Sequence, residues 1–204
     1  AQTSITNIPI LPGDHEQPAK PGLVRGKTGD FDGDPGEDYT FTFVRNPFDR
    51  LYSCYSGKYH TVLGRGSEMY REYDYYLFGY LGRDRGFGEF VNRVCKIPDP
   101  WSDRHFVSQF FMIGKSVKKD LDFVGRYENL ATDLVALQDQ FTLGDIPHLN
   151  PSKKPDWKAA YTPDMVELVY ERYRMDFERW YPQAYCEMQD YFKGNSNELR
   201  AEPF

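Results

Sequence analysis

The chain has 204 residues, of which 40% are hydrophobic and 17% aromatic, and this composition suits one globular domain rather than a disordered segment. Its formal charge of −6 provides no general basic surface, which argues against nucleic acid as a partner. No run of about 18 apolar residues occurs, so no contact with a membrane is expected from this segment. The three cysteines, Cys54, Cys95 and Cys186, are widely spaced and indicate neither a disulfide framework nor a zinc knuckle.

The first predicted elements are an arm, a strand and a helix. Residues 1–38 are rich in proline, glycine and aspartate, and we expect them to form a loop-like arm. Residues 39–44 alternate aromatic with β-branched side chains, which predicts a buried strand. Asn46 as N-cap, Pro47 in the first turn and Asp49 at the capping-box position predict that a helix begins immediately afterwards.

The predicted helix has two different faces. Arg50 and Ser53 share a polar face with Asn46. The apolar face is formed by residues at three- and four-residue spacing: Phe48, Leu51, Tyr52, Tyr55 and Tyr59.

The remaining elements suggest a second strand-to-helix unit, which is typical of α/β folds. In chain order they are an irregular segment at 64–86, short helices at 87–96 and 103–112, a strand at 121–126, a helix with Leu130, Leu134, Leu137 and Phe141 on its apolar face, and a loop at 148–161. The last predicted helix begins at the N-cap Thr162 and carries one apolar stripe from Met165 to Trp180.

The turn between the first strand and its helix has the features of an anion site. A helix start presents unpaired N–H groups, Arg45 can form paired hydrogen bonds to phosphate oxygens, and Ser53 adds a neutral donor. Ligands of open α/β sheets bind at the carboxyl ends of strands, where this turn lies. The alternative is that Arg45 pairs with an acid such as Asp49, Arg50 is a solvated surface charge, and Ser53 has no role beyond the helix.

Residues 45–53 read R-x-P-x-x-R-x-x-S, which resembles the 3′-phosphate-binding motif of sulfotransferases that use 3′-phosphoadenosine 5′-phosphosulfate (PAPS), with a close match to carbohydrate-type members. Several further segments are similar to that family: 103–109, 122–130, 147–152, 161–165 and 176–181. The resemblance covers most of the chain, about residues 39–181.

The resemblance implies a three-layer α/β/α fold with a short parallel sheet, like that of P-loop nucleoside kinases. It implies a single sulfotransferase domain with its core at 39–181 and a C-terminal tail at 182–204. The implied reaction is sulfuryl transfer from PAPS to a hydroxyl of an acceptor, with a saccharide expected and no metal required. A degenerate relative that only binds PAPS or its product nucleotide, 3′-phosphoadenosine 5′-phosphate (PAP), is the alternative. A P-loop kinase is disfavoured because G-x-x-x-x-G-K-[ST] does not occur.

The beginning of the chain departs from the family pattern. Relatives carry a phosphosulfate loop, P-K-x-[AG]-x-T-S, and residues 1–8 resemble only its second half, particularly as found in heparan/uronyl 2-O-type members. The resemblance then implies that Thr3 and Ser4 contact the 5′-phosphate and that the lysine lies upstream of Ala1. The alternative is a plain polar arm. Relatives of this kind occur in the Golgi lumen in eukaryotes and in the cytoplasm in bacteria.

The resemblance also assigns the nucleotide ligands. Arg45 and Ser53 would bind the 3′-phosphate. Lys153 and Lys154 lie in a loop that resembles one closing over the nucleotide.

A general base is needed for the acceptor hydroxyl, and histidine suits this role because its usual pKa lies near neutral pH. His105 is the first candidate because it lies in a family-like segment, and His15 is the second because relatives carry a histidine after the phosphosulfate loop. His60 is a further option, and His148 is expected to be structural. The alternatives are that His105 only hydrogen-bonds a core segment, or that an acid such as Glu68 or Glu89 is the base.

Two groups of residues are candidates for contacting the acceptor. Tyrosines between 70 and 80 can stack on sugar rings, although aromatic side chains also pack against one another. A polyanionic glycan would need a basic groove, for which the available cations are Arg65, Arg71, Arg83, Arg85, Arg93 and Arg104.

Overall fold

The computed structural model describes residues 40–60, 77–82, 85–116, 121–140 and 156–198, together with the backbone of 24–25. In chain order its strands and helices are β1 Val24–Arg25, β2 Thr40–Val44, α1 Pro47–Cys54 with a π-helical turn at Tyr55–Tyr59, α2 Phe87–Val94, α3 Gln109–Ser116, β3 Phe123–Arg126, α4 Leu130–Gln140, α5 Pro163–Arg172, α6 Arg174–Trp180 and α7 Ala184–Glu198. No helix in these ranges is both long enough and apolar enough to span a membrane.

The chain divides into two compact units. The first contains residues 1–45 and 113–153, and the second contains residues 46–112 and 154–204. The prediction of one domain over 1–204 stays a prediction.

The first unit contains the sheet. Strand β2 pairs antiparallel with β1 and parallel with β3, and Phe41 lies opposite Phe123. The parallel pair confirms the predicted short parallel sheet, whereas its three-layer arrangement stays a prediction. Gly125 of β3 is required by packing, because a Cβ there would lie 2.3 Å from the ring of Phe43. Beyond the sheet, the predicted helix is confirmed as α4, in which Leu137 is buried.

The second unit is built around an aromatic core. Phe48 of α1 is fully buried, with its ring centroid 5.4 Å from Tyr161 and 4.8 Å from Phe177. Tyr55 and Tyr59 continue the buried face and contact Phe90 of α2, which confirms the predicted apolar stripe. Such ring pairs stabilise the core beyond simple area burial, by about 0.5–1.5 kcal/mol each.

The helix starts in this unit follow the predicted capping. Asn46 Oδ1 accepts a hydrogen bond from Phe48 N at 3.0 Å, and Thr162 Oγ1 accepts one from Met165 N at 3.4 Å. Each cap is followed by a proline in the first turn of its helix. Local sequence therefore suffices to start α1 and α5.

The predicted helix at 103–112 is wrong, because α3 begins only at Gln109. In a helix Ser108 N would donate to the Arg104 carbonyl, but it donates to Asp99 Oδ1 at 2.9 Å. The Arg104 carbonyl instead accepts from Arg50 Nη2 at 3.0 Å. Two side chains from outside the segment, Asp99 nine residues from Ser108 and Arg50 54 residues from Arg104, thus replace the helical hydrogen bond.

The predicted single helix from Thr162 to Trp180 is also wrong, because it breaks at Tyr173 (φ −113°, ψ 26°) into α5 and α6. Tyr173 and Phe177 are buried, but Leu168 on the predicted stripe is exposed. Helix α7 was not predicted, since its region was interpreted as a tail. Its residue Met188 is fully buried and belongs to the core.

Candidate functional site

Arg45 directly follows strand β2 at the carboxyl end of the parallel pair. The register places Val44 opposite Arg126, so Arg45 and Tyr127 leave the sheet as neighbours. The Arg45 guanidinium carbon lies 4.6 Å from the centroid of the Tyr127 ring, a cation–π contact. This contact orders a cation at the edge of the sheet where α/β proteins bind ligands.

The backbone at the start of α1 contributes less to an anion site than the sequence predicted. Pro47 has no N–H, and Phe48 N donates to Asn46 Oδ1 at 3.0 Å. Arg50 N donates to the Asn46 carbonyl at 2.8 Å as the first hydrogen bond within the helix. Two of the three first-turn positions, 47 and 48, therefore offer no N–H to a phosphate. Anion binding at this turn must depend mainly on side chains.

Arg50 is a buried residue rather than a surface one. Its side chain is 8% exposed, so the interpretation as a solvated surface charge is wrong. Its Nη1 donates to the Val107 carbonyl at 2.6 Å and its Nη2 to the Arg104 carbonyl at 3.0 Å. These contacts direct the Arg50 guanidinium toward the segment that carries His105. Ser53, one helical turn further on, is half-buried.

His105 is held by Asp103. Its backbone N–H and its Nδ1 contact the same carboxylate oxygen, at 2.9 Å and 2.5 Å. An Asp103 carboxylate accepting from Nδ1–H favours the tautomer in which Nε2 is the basic nitrogen. Burial lowers the pKa of His105 and outweighs Asp103, which raises it. His105 is therefore neutral near pH 7, as a general base must be.

Two acids, the buried Asp176 and the half-buried Asp99, hold the segment around His105, and the sequence analysis missed both. The Asp176 carboxylate accepts hydrogen bonds from Gln109 N at 2.9 Å and Phe110 N at 2.7 Å, and thereby caps α3 from another helix. Asp99 accepts from the Ser108 hydroxyl at 2.6 Å and from Arg172 at 2.5 Å. The signal for Asp176 was an acid on the apolar stripe beside Phe177.

The pKa shifts of the two acids differ in sign. Burial raises the pKa of Asp176 and outweighs the hydrogen bonds from Gln109 and Phe110. Burial also acts to raise the pKa of Asp99, but the hydrogen bonds from Arg172 and Ser108 outweigh it and lower that pKa. The surroundings of Asp99 therefore stabilise its ionised carboxylate, whereas those of Asp176 destabilise the ionised form.

The low pKa of His105 predicts a pH effect on stability. A histidine whose pKa is depressed by folding stabilises the fold above its unfolded pKa, about 6.5, and loses that contribution as pH falls through the folded pKa. Between pH 7 and 5 we expect the wild-type urea midpoint to fall more steeply than that of His105→Gln. Parallel pH dependences of the two proteins would contradict this expectation.

Glu89, an alternative base, is poorly suited to that role. Its carboxylate accepts from Arg93 Nη2 at 2.7 Å and from Arg85 Nη1 at 2.6 Å, and these hydrogen bonds lower the pKa of Glu89. The same contacts pair two cations that were candidates for a basic groove. His60 lies at the end of the π-helical turn, with its ring 5.5 Å from that of Tyr55. Tyr80 contacts Arg93 through its ring face.

The other predicted site residues lie outside the part of the chain that the structure describes. They are Thr3, Ser4, His15, Arg65, Glu68, the tyrosines at 70–76, Arg71, Arg83, His148, Lys153 and Lys154. Within the described ranges, no cluster of three His, Cys, Asp or Glu side chains has an arrangement that could hold a metal ion.

A protein-family model described as the sulfotransferase family matches residues 35–182. The match includes strand β2, the Arg45 turn, the Asp103–His105 contact and helices α5 and α6. Comparison with the curated proteins gave no match, and comparison with the solved structures gave none either.

Proposed function

This chain belongs to the sulfotransferase family, and from that premise we propose that it transfers a sulfuryl group from PAPS to a hydroxyl of a carbohydrate. The observation that carries the proposal is the sequence R-x-P-x-x-R-x-x-S at 45–53. It lies inside the matched region and begins at the carboxyl end of the parallel strand β2. The carbohydrate acceptor rests on the resemblance of this motif to that of carbohydrate-type members.

The nucleotide is held by side chains in this proposal. Arg45, ordered by the Tyr127 ring, binds the 3′-phosphate together with the Ser53 hydroxyl. Thr3 and Ser4 bind the 5′-phosphate. Lys153 and Lys154, which precede α5 in the sequence, are further nucleotide ligands in this proposal. PAPS supplies the sulfuryl group and a 5′-phosphate leaving group.

His105 is the general base of the proposed reaction. Its Nε2 takes the proton of the acceptor hydroxyl while the acceptor oxygen forms its bond to sulfur and the bond from sulfur to the 5′-phosphate oxygen breaks. Asp103 stabilises the imidazolium that forms and keeps the ring in the required tautomer. The partial burial of His105 lowers its pKa and so keeps the base neutral before the reaction.

The nucleotide site can be tested by calorimetric titration of the full chain with PAP, with 5′-AMP as the ligand control. We expect PAP to bind more tightly than 5′-AMP. Arg45→Ala should weaken PAP binding by about 10- to 150-fold, because hydrogen bonds to charged groups contribute roughly 1.5–3 kcal/mol. The matched control is Arg179→Ala, an exposed arginine on α6, which should bind PAP as the wild type does.

Equal affinities for PAP and 5′-AMP, or an unchanged affinity in Arg45→Ala, would contradict the proposed 3′-phosphate site. Binding of PAP without turnover of PAPS on any saccharide acceptor would instead favour a nucleotide-binding module without catalysis. Turnover on a saccharide together with PAP binding supports the proposal as a whole.

A further inference from the structure

We propose that Arg50 is a positioning residue that fixes the base His105 relative to helix α1, which carries Ser53. This inference rests on the proposed function and extends it. Arg50 does not contact the nucleotide in this proposal. It acts through the backbone of the segment 104–107, to which its guanidinium is hydrogen-bonded.

The contacts of Arg50 surround His105 in the sequence. Its guanidinium donates to the carbonyl of Arg104, the residue before His105, and to the carbonyl of Val107, two residues after it. These partners are more than 50 positions away in the chain, so the contact joins two separate segments of the second unit. An arginine suits this task because its planar group presents several donors in a fixed geometry.

The peptide group between Arg104 and His105 is held on both sides. Arg50 binds its carbonyl oxygen, and the Asp103 carboxylate accepts from its N–H at 2.9 Å. Asp103 also binds Nδ1 of the His105 ring. With both the backbone and the ring fixed, the direction of the His105 side chain is determined by Arg50 and Asp103 together.

Neighbouring contacts restrain the same segment. Tyr173 donates its hydroxyl to the Phe106 carbonyl at 2.5 Å, and burial raises the pKa of this phenol, so it stays a donor. Asp99 holds Ser108 at the end of the segment. Of the three residues that hold this segment, Arg50, Tyr173 and Asp99, only Arg50 lies on α1.

Helix α1 carries both a proposed phosphate ligand, Ser53, and the residue that anchors the segment of the base, Arg50. Arg50 and Ser53 are three residues apart on it, a spacing that places side chains on adjacent positions of one helix surface. A rigid helix that holds a phosphate ligand and also anchors the base segment keeps the distance between donor nucleotide and base constant. Small errors in such positioning have large costs, since a misplacement of about 1 Å can lower a rate by roughly 100-fold.

The variant that tests this proposal is Arg50→Lys, which retains the charge but replaces the forked guanidinium by one ammonium group. Arg50→Gln, which keeps one amide donor without the charge, is the second variant if the lysine variant does not fold. The matched control is Arg179→Lys on the exposed surface of α6. All proteins are full-length and are compared at a temperature at which circular dichroism shows them to be folded.

We expect Arg50→Lys to lower kcat by about 10- to 100-fold, while the Kd for PAP and the KM for the acceptor stay close to those of the wild type. The NMR titration of the His105 ring should move toward the usual histidine pKa, because a loosened segment is less buried. Arg179→Lys should change neither kcat nor the titration of His105.

An active wild type with an unchanged kcat and an unchanged His105 titration in both Arg50 variants would overturn the positioning role. A loss of kcat that only follows the folded fraction, with the His105 titration unmoved, would also overturn it in favour of simple structural support. A wild type that neither binds PAP nor transfers a sulfuryl group would overturn the proposed function, and this outcome is distinguishable because it is seen before any variant is made.

Discussion

Replacing His105 by glutamine should lower kcat for sulfuryl transfer by about 10²- to 10⁴-fold, the usual contribution of a general base. Glutamine fills a similar volume and can still hydrogen-bond to Asp103, but it cannot accept the proton of the acceptor hydroxyl. PAP affinity should stay close to that of the wild type, since His105 has no proposed contact with the nucleotide phosphates. Turnover with labelled PAPS and calorimetric binding of PAP measure the two effects separately.

His60→Gln is the matched control, because it removes a second described histidine of the same unit and should retain wild-type turnover. The opposite pattern, with activity lost in His60→Gln and kept in His105→Gln, would transfer the role of base to His60. If both variants keep their activity, His15 remains as the candidate base that the family resemblance implies.

The pH–rate profile gives an independent test of the same assignment. Because the pKa of His105 is lowered, the acid limb of kcat/KM should fall below the usual histidine range. Asp103→Asn should move this limb to still lower pH, since it removes the carboxylate that raises the pKa of His105. Asp103→Asn should also lower the rate, because the ring of His105 is then held less strongly in the tautomer with a basic Nε2. A limb at the ordinary histidine pKa in both proteins would contradict His105 as the base.

Elements specified by local chemistry were predictable from the sequence. Strand β2, the cap at Asn46 and the cap at Thr162 depend on residues within a few positions of one another, and each formed as expected. Residues at 121–126 likewise predicted strand β3, whose parallel pairing with β2 follows the usual α/β arrangement. In these cases the neighbouring residues contain all the information that is needed.

The errors arose where side chains from outside a segment compete for its backbone groups. The segment 103–108 has helix-compatible residues, but Asp99 takes its Ser108 N–H and Arg50 takes its Arg104 carbonyl. Periodicity also gave no sign of the break at Tyr173, whose hydroxyl is committed to Phe106 more than 60 residues away. Similarly, the sequence allowed Arg50 to be a solvated surface charge, whereas the fold shows that it is buried against the carbonyl groups of Val107 and Arg104.

Asp176→Ala should lower the free energy of unfolding by about 2–6 kcal/mol, because it leaves two backbone N–H groups without their acceptor at about 1–3 kcal/mol each. These are the N–H groups of Gln109 and Phe110, at the start of α3. Urea unfolding at pH 7 measures the change. The matched control is Asp190→Ala, whose exposed ion pair with Lys193 should contribute less than about 1 kcal/mol.

Asp176→Asn separates the charge from the hydrogen bonds. Its single amide oxygen can satisfy only one of the two N–H groups, so the variant should be less stable than the wild type, but more stable than Asp176→Ala. Because burial raises the pKa of Asp176, the folded wild type keeps a proton that the unfolded chain loses. This contribution is full below the unfolded pKa of about 3.9 and is lost as pH rises through the folded pKa. The advantage of the wild type over Asp176→Asn should therefore be larger at about pH 4, near the unfolded pKa, than at pH 7. A constant difference would show that Asp176 acts only as a pair of acceptors.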